Sequence, residues 1–232
     1  MKKVGLIGGL GPASTVYYYQ GIIHGYREFV RDDSYPELVI DSVNMTEVLS
    51  YLYAKDWHGL AQALLCALNR LEKAGAEVAA IASNTPHIVW DALQKESPLP
   101  LVSIVEATCA YAREQGCRKA VVLGTGFVMA SGLYENALRA WNITAVTPDA
   151  RGQDEVHNII FPKLEDGIVD PVDKRKMLAL AGGLIAEHGA DTLVLGCTEL
   201  PLMIKPEDID TLVLNTTQIH IDAILRAMGC AR

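Results

Sequence analysis

Two short polar turns in this chain carry residues able to move a proton. The first is Ser83-Asn84-Thr85-Pro86-His87, and the second is Gly196-Cys197-Thr198-Glu199-Leu200-Pro201. Each follows an apolar run, Val78–Ala82 in one case and Thr192–Leu195 in the other. Cys197 is the stronger chemical group, because a thiol with an ordinary pKa near ~8.5 is partly ionised close to neutral pH. A helix or turn opening at Thr198 would lower that value further, since its exposed amides favour the nucleophilic or basic thiolate. A lone cysteine after a strand is also commonly a small buried residue. The matching position of Ser83 gives Cys197 its weight. Asn84 and Thr85 offer polar groups to a carboxylate or an amine, or a cap for the helix starting at Pro86. His87, one turn inward, reads as a structural hydrogen-bonder.

The match between the two turns belongs to a longer internal repeat. Lys3-Val4-Gly5-Leu6-Ile7-Gly8 returns 116 positions later as Lys119-Ala120-Val121-Val122-Leu123-Gly124. Gly75-Ala76-Glu77 leads through a strand to Ser83, and Gly189-Ala190-Asp191 leads through another to Cys197, 114 positions on. Leu101-Val102 matches Leu212-Val213 at an offset of 111. Apolar β-branched runs alternate with helical patterns throughout, which is the signature of parallel α/β units. Strands are expected at Val4–Ile7, Leu38–Val43, Val78–Ala82, Leu101–Val105, Ala120–Leu123, Thr192–Leu195 and Thr211–Leu214. Helices are expected at Ala13–Arg27, Leu60–Lys73, Glu106–Glu114, Glu155–Glu165, Lys174–His188 and Gln218–Ala227. The expected fold is therefore α/β: two similar three-layer domains with parallel sheets related by a pseudo-twofold. The first would comprise 1–100 plus 212–232, completed by the C-terminal helix, and the second 101–211. Ligands of such sheets bind beyond the carboxyl ends of the strands. Ser83 and Cys197 would then face each other across the cleft between the halves, a geometry suited to chemistry on both faces of one carbon.

Composition removes several alternatives. The 232 residues carry 20 basic and 28 acidic side chains, a formal charge of −8, with half the chain apolar. Nucleic-acid binding needs clustered Lys and Arg, and no basic stripe is present. No run approaches the ~20 apolar residues that span a bilayer. Met1-Lys2-Lys3 imitates a signal-peptide start, yet glycines, Pro12 and three tyrosines stand where a cleavage site belongs, so the expected location is cytoplasmic. Five cysteines without CxxC spacing and six scattered histidines point to neither a disulfide framework nor a zinc site.

The residues quoted so far carry a resemblance. Gly8-Gly9-Leu10-Gly11-Pro12-Ala13-Ser14-Thr15, the Ser83-Asn84-Thr85-Pro86-His87 turn and the Gly196-Cys197-Thr198-Glu199-Leu200 turn resemble those of the aspartate/glutamate racemase family, above all its bacterial broad-specificity branch. The resemblance runs in order over nearly the whole chain. It implies two α/β domains, an active site between them, a homodimer, and racemisation of amino acids without pyridoxal phosphate or metal. In the family's usual form two cysteines flank the α-carbon, one thiolate taking the proton and the other thiol returning one from the opposite face. An α-proton beside an ionised carboxylate is very weakly acidic, so oriented donors must stabilise the enolate-like charge. The carry-over makes Asn84, Thr85, Thr125 and Thr198 candidates to hold the carboxylate and ammonium, with backbone amides near Gly9 and Gly11 assisting.

The chain departs from that pattern in two places. Ser83 stands where the first catalytic cysteine is usual, and an unactivated hydroxyl is a far poorer base than a thiol; one handedness should be processed much less well. Val48 and Glu165 occupy positions where members acting on acidic substrates place an arginine and a lysine to grip the distal carboxylate. Glu165 would repel an acidic side chain and favour neutral or basic amino acids, or else be a solvated helix residue beside Asp166. Val128 and Asn215 also replace an expected Thr and Asp. Three other readings stay open. One is a cofactor-free decarboxylase or isomerase that uses Cys197 as its single acid. Another is an amino-acid sensor without catalysis. The third is a dinucleotide-binding protein, suggested by a partial GxGxxG at Gly9-Leu10-Gly11-Pro12-Ala13-Ser14 with Asp32 and Asp33 downstream.

Overall fold

A computed structural model describes residues 1–230 of the chain and divides them into two units. The first, residues 1–104 with 220–230, contains β1 (Val4–Gly8), α1 (Pro12–Val30), β2 (Leu38–Ser42), α2 (Met45–Ala54), α3 (Trp57–Lys73), β3 (Val78–Ile81), a 3-10 turn (Thr85–Val89), α4 (Trp90–Glu96) and β4 (Leu101–Val102). The second, residues 105–219, contains nearly all of α5 (Ile104–Glu114). It continues with β5 (Lys119–Gly124), α6 (Gly126–Ser131), α7 (Leu133–Ala140), β6 (Thr144–Val146), α8 (Ala150–Ile159), α9 (Pro171–His188), β7 (Thr192–Gly196), α10 (Leu200–Met203) and β8 (Leu212–Asn215). A last helix, α11 (Thr216–Met228), starts in the second unit and finishes in the first. Among the described residues no helix is long and apolar enough to cross a membrane.

Each unit holds a four-stranded parallel sheet, ordered β2-β1-β3-β4 in the first and β6-β5-β7-β8 in the second. The internal repeat is visible in the pairing register. Val4 pairs with Val78, and Ala120, 116 positions after Val4, pairs with Thr192, 114 positions after Val78. The third match shifts by one residue, because Ala79 pairs with Leu101 while Leu193 pairs with Val213. The expected domain boundary needs a correction. Leu212–Asn215 pairs with β7, so residues 212–219 belong with the second sheet, and the first unit runs to Ile104 rather than stopping at 100. Residues 231 and 232 of the expected range lie outside the described residues.

Alternation along β1 explains the layers of the first unit. Val4 and Leu6 pack with Val78 and Ala80 of β3 against Tyr18 and Ile22 of α1 and Ile221, Ile224 and Leu225 of α11. Gly21 and Gly25 of α1 admit this contact, since a Cβ on either would lie 2.7 Å from Ile221 or 2.3 Å from Leu225. Gly5 points to the opposite face, where a Cβ would touch Leu71 of α3 at 3.1 Å. In the second unit Val121, Leu123, Leu193 and Leu195 pack with Val156 and Ile159 of α8 and Met177 and Ala181 of α9.

Two expected elements end early for identifiable reasons. The helix drawn through Glu165 stops at Ile159 and gives way to a wide turn, Ile160–Leu164, in which Phe161 is extended at φ −101°, ψ 136°. Pro162 imposes this, because the residue before a proline is driven from the helical region. Likewise, the strand drawn to Val105 ends at Val102, and Ile104 already opens α5.

Buried histidines tie the first unit together, and His87 is indeed structural. Tyr18 Oη donates to His220 Nδ1 (2.7 Å), and His220 Nε2 donates to the Val102 carbonyl (2.9 Å). His87 Nε2 accepts from the Ile104 amide at 3.4 Å while its ring stacks on Trp90. Burial pushes His220 down to about 4, and burial with the neighbouring His220 pushes His87 down to about 3. Both are therefore neutral in the fold, whereas in the unfolded chain they protonate near ~6.5. Their stabilisation is complete above that value and is lost as pH falls toward 3–4, at up to ~1.4 kcal/mol per pH unit for each histidine. The urea midpoint should accordingly fall between pH 7 and 4.5, and less steeply in a His220→Gln variant.

Candidate functional site

In the first unit the loop after β1 is built by close approach of backbone to backbone. Gly9 has φ +77°, and a Cβ there would lie 2.4 Å from the Val43 carbonyl oxygen. Its amide donates to Thr15 Oγ1 (2.9 Å), which with the Thr15 amide donates to the Gly11 carbonyl (3.2 and 3.1 Å). The Gly9 amide, expected as a ligand donor, is thus used by the loop itself. Gly11, at φ +105°, caps α1 ahead of Pro12 without a side chain. Ser14 is buried and donates to the Ala82 carbonyl (2.9 Å), fixing the first turn of α1 to the residue before Ser83. The glycines therefore serve chain packing rather than a pyrophosphate, and Asp32 turns back onto the Ser34 amide (2.8 Å). The dinucleotide alternative loses its footing.

Beyond β3 the chain turns tightly, the Ser83 amide donating to the Ile81 carbonyl (2.8 Å) and the His87 amide to the Asn84 carbonyl (3.0 Å). Asn84 and Thr85 are buried, and the Asn84 side chain makes no capping bond to the 3-10 turn it precedes. Ser83 is partly exposed. Val48, also in this unit, is buried beside a cavity of about 450 Å³ that Arg70 lines too, its guanidinium held by Asp41 (2.7 Å).

In the second unit Thr125 caps α6, its Oγ1 accepting from the Val128 amide (3.3 Å). The next amide, Gly126, donates to His157 Nδ1 of α8 (3.3 Å), a partner the sequence reading did not single out. Asn215 accepts from the Thr217 and Gln218 amides (3.1 Å each) and so caps the turn into α11.

Cys197 directly follows β7 and is 5 % exposed. Its thiol donates to Glu199 Oε2 (3.0 Å), and the Thr198 hydroxyl donates to the same oxygen (2.8 Å). Glu199 is equally buried, and its second oxygen, Oε1, has no hydrogen-bond partner. These contacts reverse the expected charge state of the thiol. Burial first, then the Glu199 carboxylate, with Glu165 adding to it, push Cys197 well above the ordinary thiol range. The four-residue α10 has too short a dipole to compensate. At neutral pH the resting group is a thiol poised to give a proton, not a thiolate. Burial also raises Glu199, and Glu165, half-buried, is pushed up to about 7 by burial and by the charges of Glu199 and Asp166. Glu165 is thus electrically coupled to the thiol rather than a purely solvated acid. The structure brings Cys197, Thr198, Glu199 and Glu165 into one cluster, and Glu199 is the member that sequence reasoning missed; its signal was an acid two residues beyond the thiol. No group of three or more His, Cys, Asp or Glu among the described residues could hold a metal ion.

The chain is similar to known proteins along nearly its whole length. The model of the Asp/Glu/hydantoin racemase family matches residues 7–224. The chain belongs to that family. Among racemase-family relatives, the broad specificity amino-acid racemase RacX of Bacillus subtilis is 24 % identical over 210 residues, spanning 85 % of each chain. An aspartate racemase homologue from Pyrococcus horikoshii superposes with a TM-score of 0.85 at 36 % identity, over 99 % of this chain and all of that one. A putative Asp/Glu racemase from Yersinia pestis gives 0.89 at 31 % identity over the same shares. The expected α/β architecture of two parallel-sheet domains is the one these relatives share.

The charge state of the Cys197 thiol is directly measurable. Peptide mass spectrometry after brief iodoacetamide treatment at pH 7.5 should find exposed Cys66 alkylated at least tenfold faster than Cys197, the Cys197 rate rising as pH is increased. Equal rates would contradict a protonated, buried thiol.

Proposed function

We propose that this protein is a cofactor-independent amino-acid racemase that removes and returns the α-proton, with Cys197 as its thiol and Ser83 as the weaker proton-handling group. The observation that carries this reading is the hydrogen-bonded Cys197–Glu199 pair at the end of β7, at the position that the repeated register relates to Ser83 at the end of β3. Racemisation needs proton transfer at both faces of one carbon. A thiol can do this near neutral pH, but a hydroxyl without an activating base does so slowly. Asn84, Thr85, Thr125 and Thr198 supply polar groups for the substrate's carboxylate and ammonium, the Thr198 hydroxyl only on leaving Glu199 Oε2, and Gly11 contributes backbone polarity. Their stabilisation of the enolate-like charge would carry much of the rate.

Glu165 supports neutral or basic over acidic side chains, because a carboxyl that titrates near 7 in its present surroundings becomes costlier still beside a second carboxylate. A homodimer acting in the cytoplasm in D-amino-acid metabolism completes the reading. One observation favours a second possibility. A protonated buried thiol is also what a cofactor-free decarboxylase of the same family would use to protonate its carbanion.

The test is an α-deuterium exchange screen in D₂O over both enantiomers of the common amino acids, without added cofactor. Exchange should appear, unequal between enantiomers and stronger for neutral or basic side chains. Cys197→Ala should lose at least 100-fold of it while remaining folded by circular dichroism; retained exchange would sink the role of the thiol. Absence of exchange with any amino acid would leave the decarboxylase or a sensor. Ser83→Cys supplies a second thiol and should raise exchange of the slower enantiomer by tenfold or more. Normal substrate binding without that gain would remove Ser83 from proton transfer.

A further inference from the structure

The cluster around Cys197 has an imbalance that the proposed reaction has not yet used. Two carboxyl groups and a thiol share a poorly hydrated region, and among the described residues no cationic side chain acts on either Glu199 or Glu165. The Glu199 amide donates to the Cys197 sulfur, and the Glu199 carboxylate accepts from Cys197 and Thr198 through Oε2. Its other oxygen is buried and unpartnered, although a buried acceptor normally finds a donor. A desolvated carboxylate with an open acceptor and no counter-charge is complementary to a small cation bearing N–H donors.

We propose that Glu199 is the receptor for the substrate's α-ammonium and that the arrival of this charge releases the proton of Cys197. This rests on the racemase reading, which supplies a ligand whose ammonium is attached to the carbon that the thiol must reach. Glu199 Oε2 lies 3.0 Å from Cys197 Sγ, so a group bound to the same carboxylate is adjacent to the thiol. While Glu199 stands uncompensated, its negative charge opposes a second negative charge on sulfur. An ammonium on Oε1 cancels that opposition, so the thiol can ionise, its proton leaving to solvent or to a nearby carboxyl. The other charged group facing the thiol, Glu165, with Asp166 beside it, works in the same direction as Glu199. The empty protein therefore keeps its thiol protonated, and only a ligand with an amine unlocks it. An α-hydroxy acid of the same shape binds without this effect.

The test follows the ¹³Cβ resonance of Cys197 through a pH titration of cysteine-labelled protein, the signal assigned by its loss in Cys197→Ala. In the ligand-free protein, Glu199→Gln removes the opposing charge and should lower the Cys197 midpoint by at least one pH unit, a tenfold rise in thiolate at a given pH. In the wild-type protein, saturation with the α-methyl analogue of an amino acid that exchanges in the screen should produce a drop of similar size. Such an analogue has the ammonium but no α-hydrogen, and the matching α-hydroxy acid should leave the midpoint where it was. Kinetically, Glu199→Gln should raise KM at least tenfold and shift the pH profile of exchange to lower pH. An unchanged midpoint in the variant, or equal effects of amine and hydroxy ligands on the wild type, overturns the proposal, and the second arm decides if the variant does not fold. When no amino acid exchanges but Glu199→Gln still lowers the midpoint, the racemase reading fails and the electrostatic couple stands.

Discussion

Everything in each unit is referred to a strand that is paired on both sides. β1 is hydrogen-bonded to β2 and β3, and β5 to β6 and β7, so neither has an edge and both are buried along nearly their whole length. A parallel strand in that position can shift its register only by moving both neighbours and the helices that cover them. Its length therefore decides where the next strand's carboxyl end falls. Because the offsets of 116 and 114 residues are conserved in the pairing itself, the serine of one unit and the cysteine of the other leave their sheets at corresponding points. The loops that follow are held against this frame by single contacts, such as the Ser14 hydroxyl on the Ala82 carbonyl.

The electrostatic character of the second unit's turn follows from how little surrounds it. A carboxylate two residues from a thiol in water would be screened and nearly silent. Here both are buried, and the same pair becomes the strongest influence on the state of the sulfur after desolvation itself. The low local polarity that makes the thiol a poor resting nucleophile would also make any compensating charge highly effective.

The architecture was legible in the sequence where a structural rule had several residues on which to act. Apolar β-branched runs such as Val78–Ile81 and Thr192–Gly196 sit where they were read, because burial on both faces leaves an uninterrupted signature. β6 was missed: it has three residues at the sheet edge and opens on exposed Thr144. Helices α6, α7 and α10, of four to eight residues, are too short to show a period. The early start of α8 had a readable cap in Asp149, whose carboxylate accepts from the Gly152 amide. At the site, Ser83 and Cys197 could be found by repetition alone. The ionisation of Cys197 could not, since it depends on the depth of the turn and on Glu199 folding back onto the sulfur, neither of which is a property of spacing.

The path of the chain has a consequence for how the molecule is made. Val4 and Leu6 of β1 depend for their cover on Ile221, Ile224 and Leu225, which come from the last helix, and the Lys2 amide closes onto the Met228 carbonyl (2.9 Å). Residues 105–219 are thus an insertion within the first unit, complete in themselves and synthesised before its final helix exists. On the ribosome, the unit that begins first finishes last. Its opening hundred residues must wait, with one apolar face of their sheet covered by α1 alone, while the cysteine-bearing unit folds ahead of them.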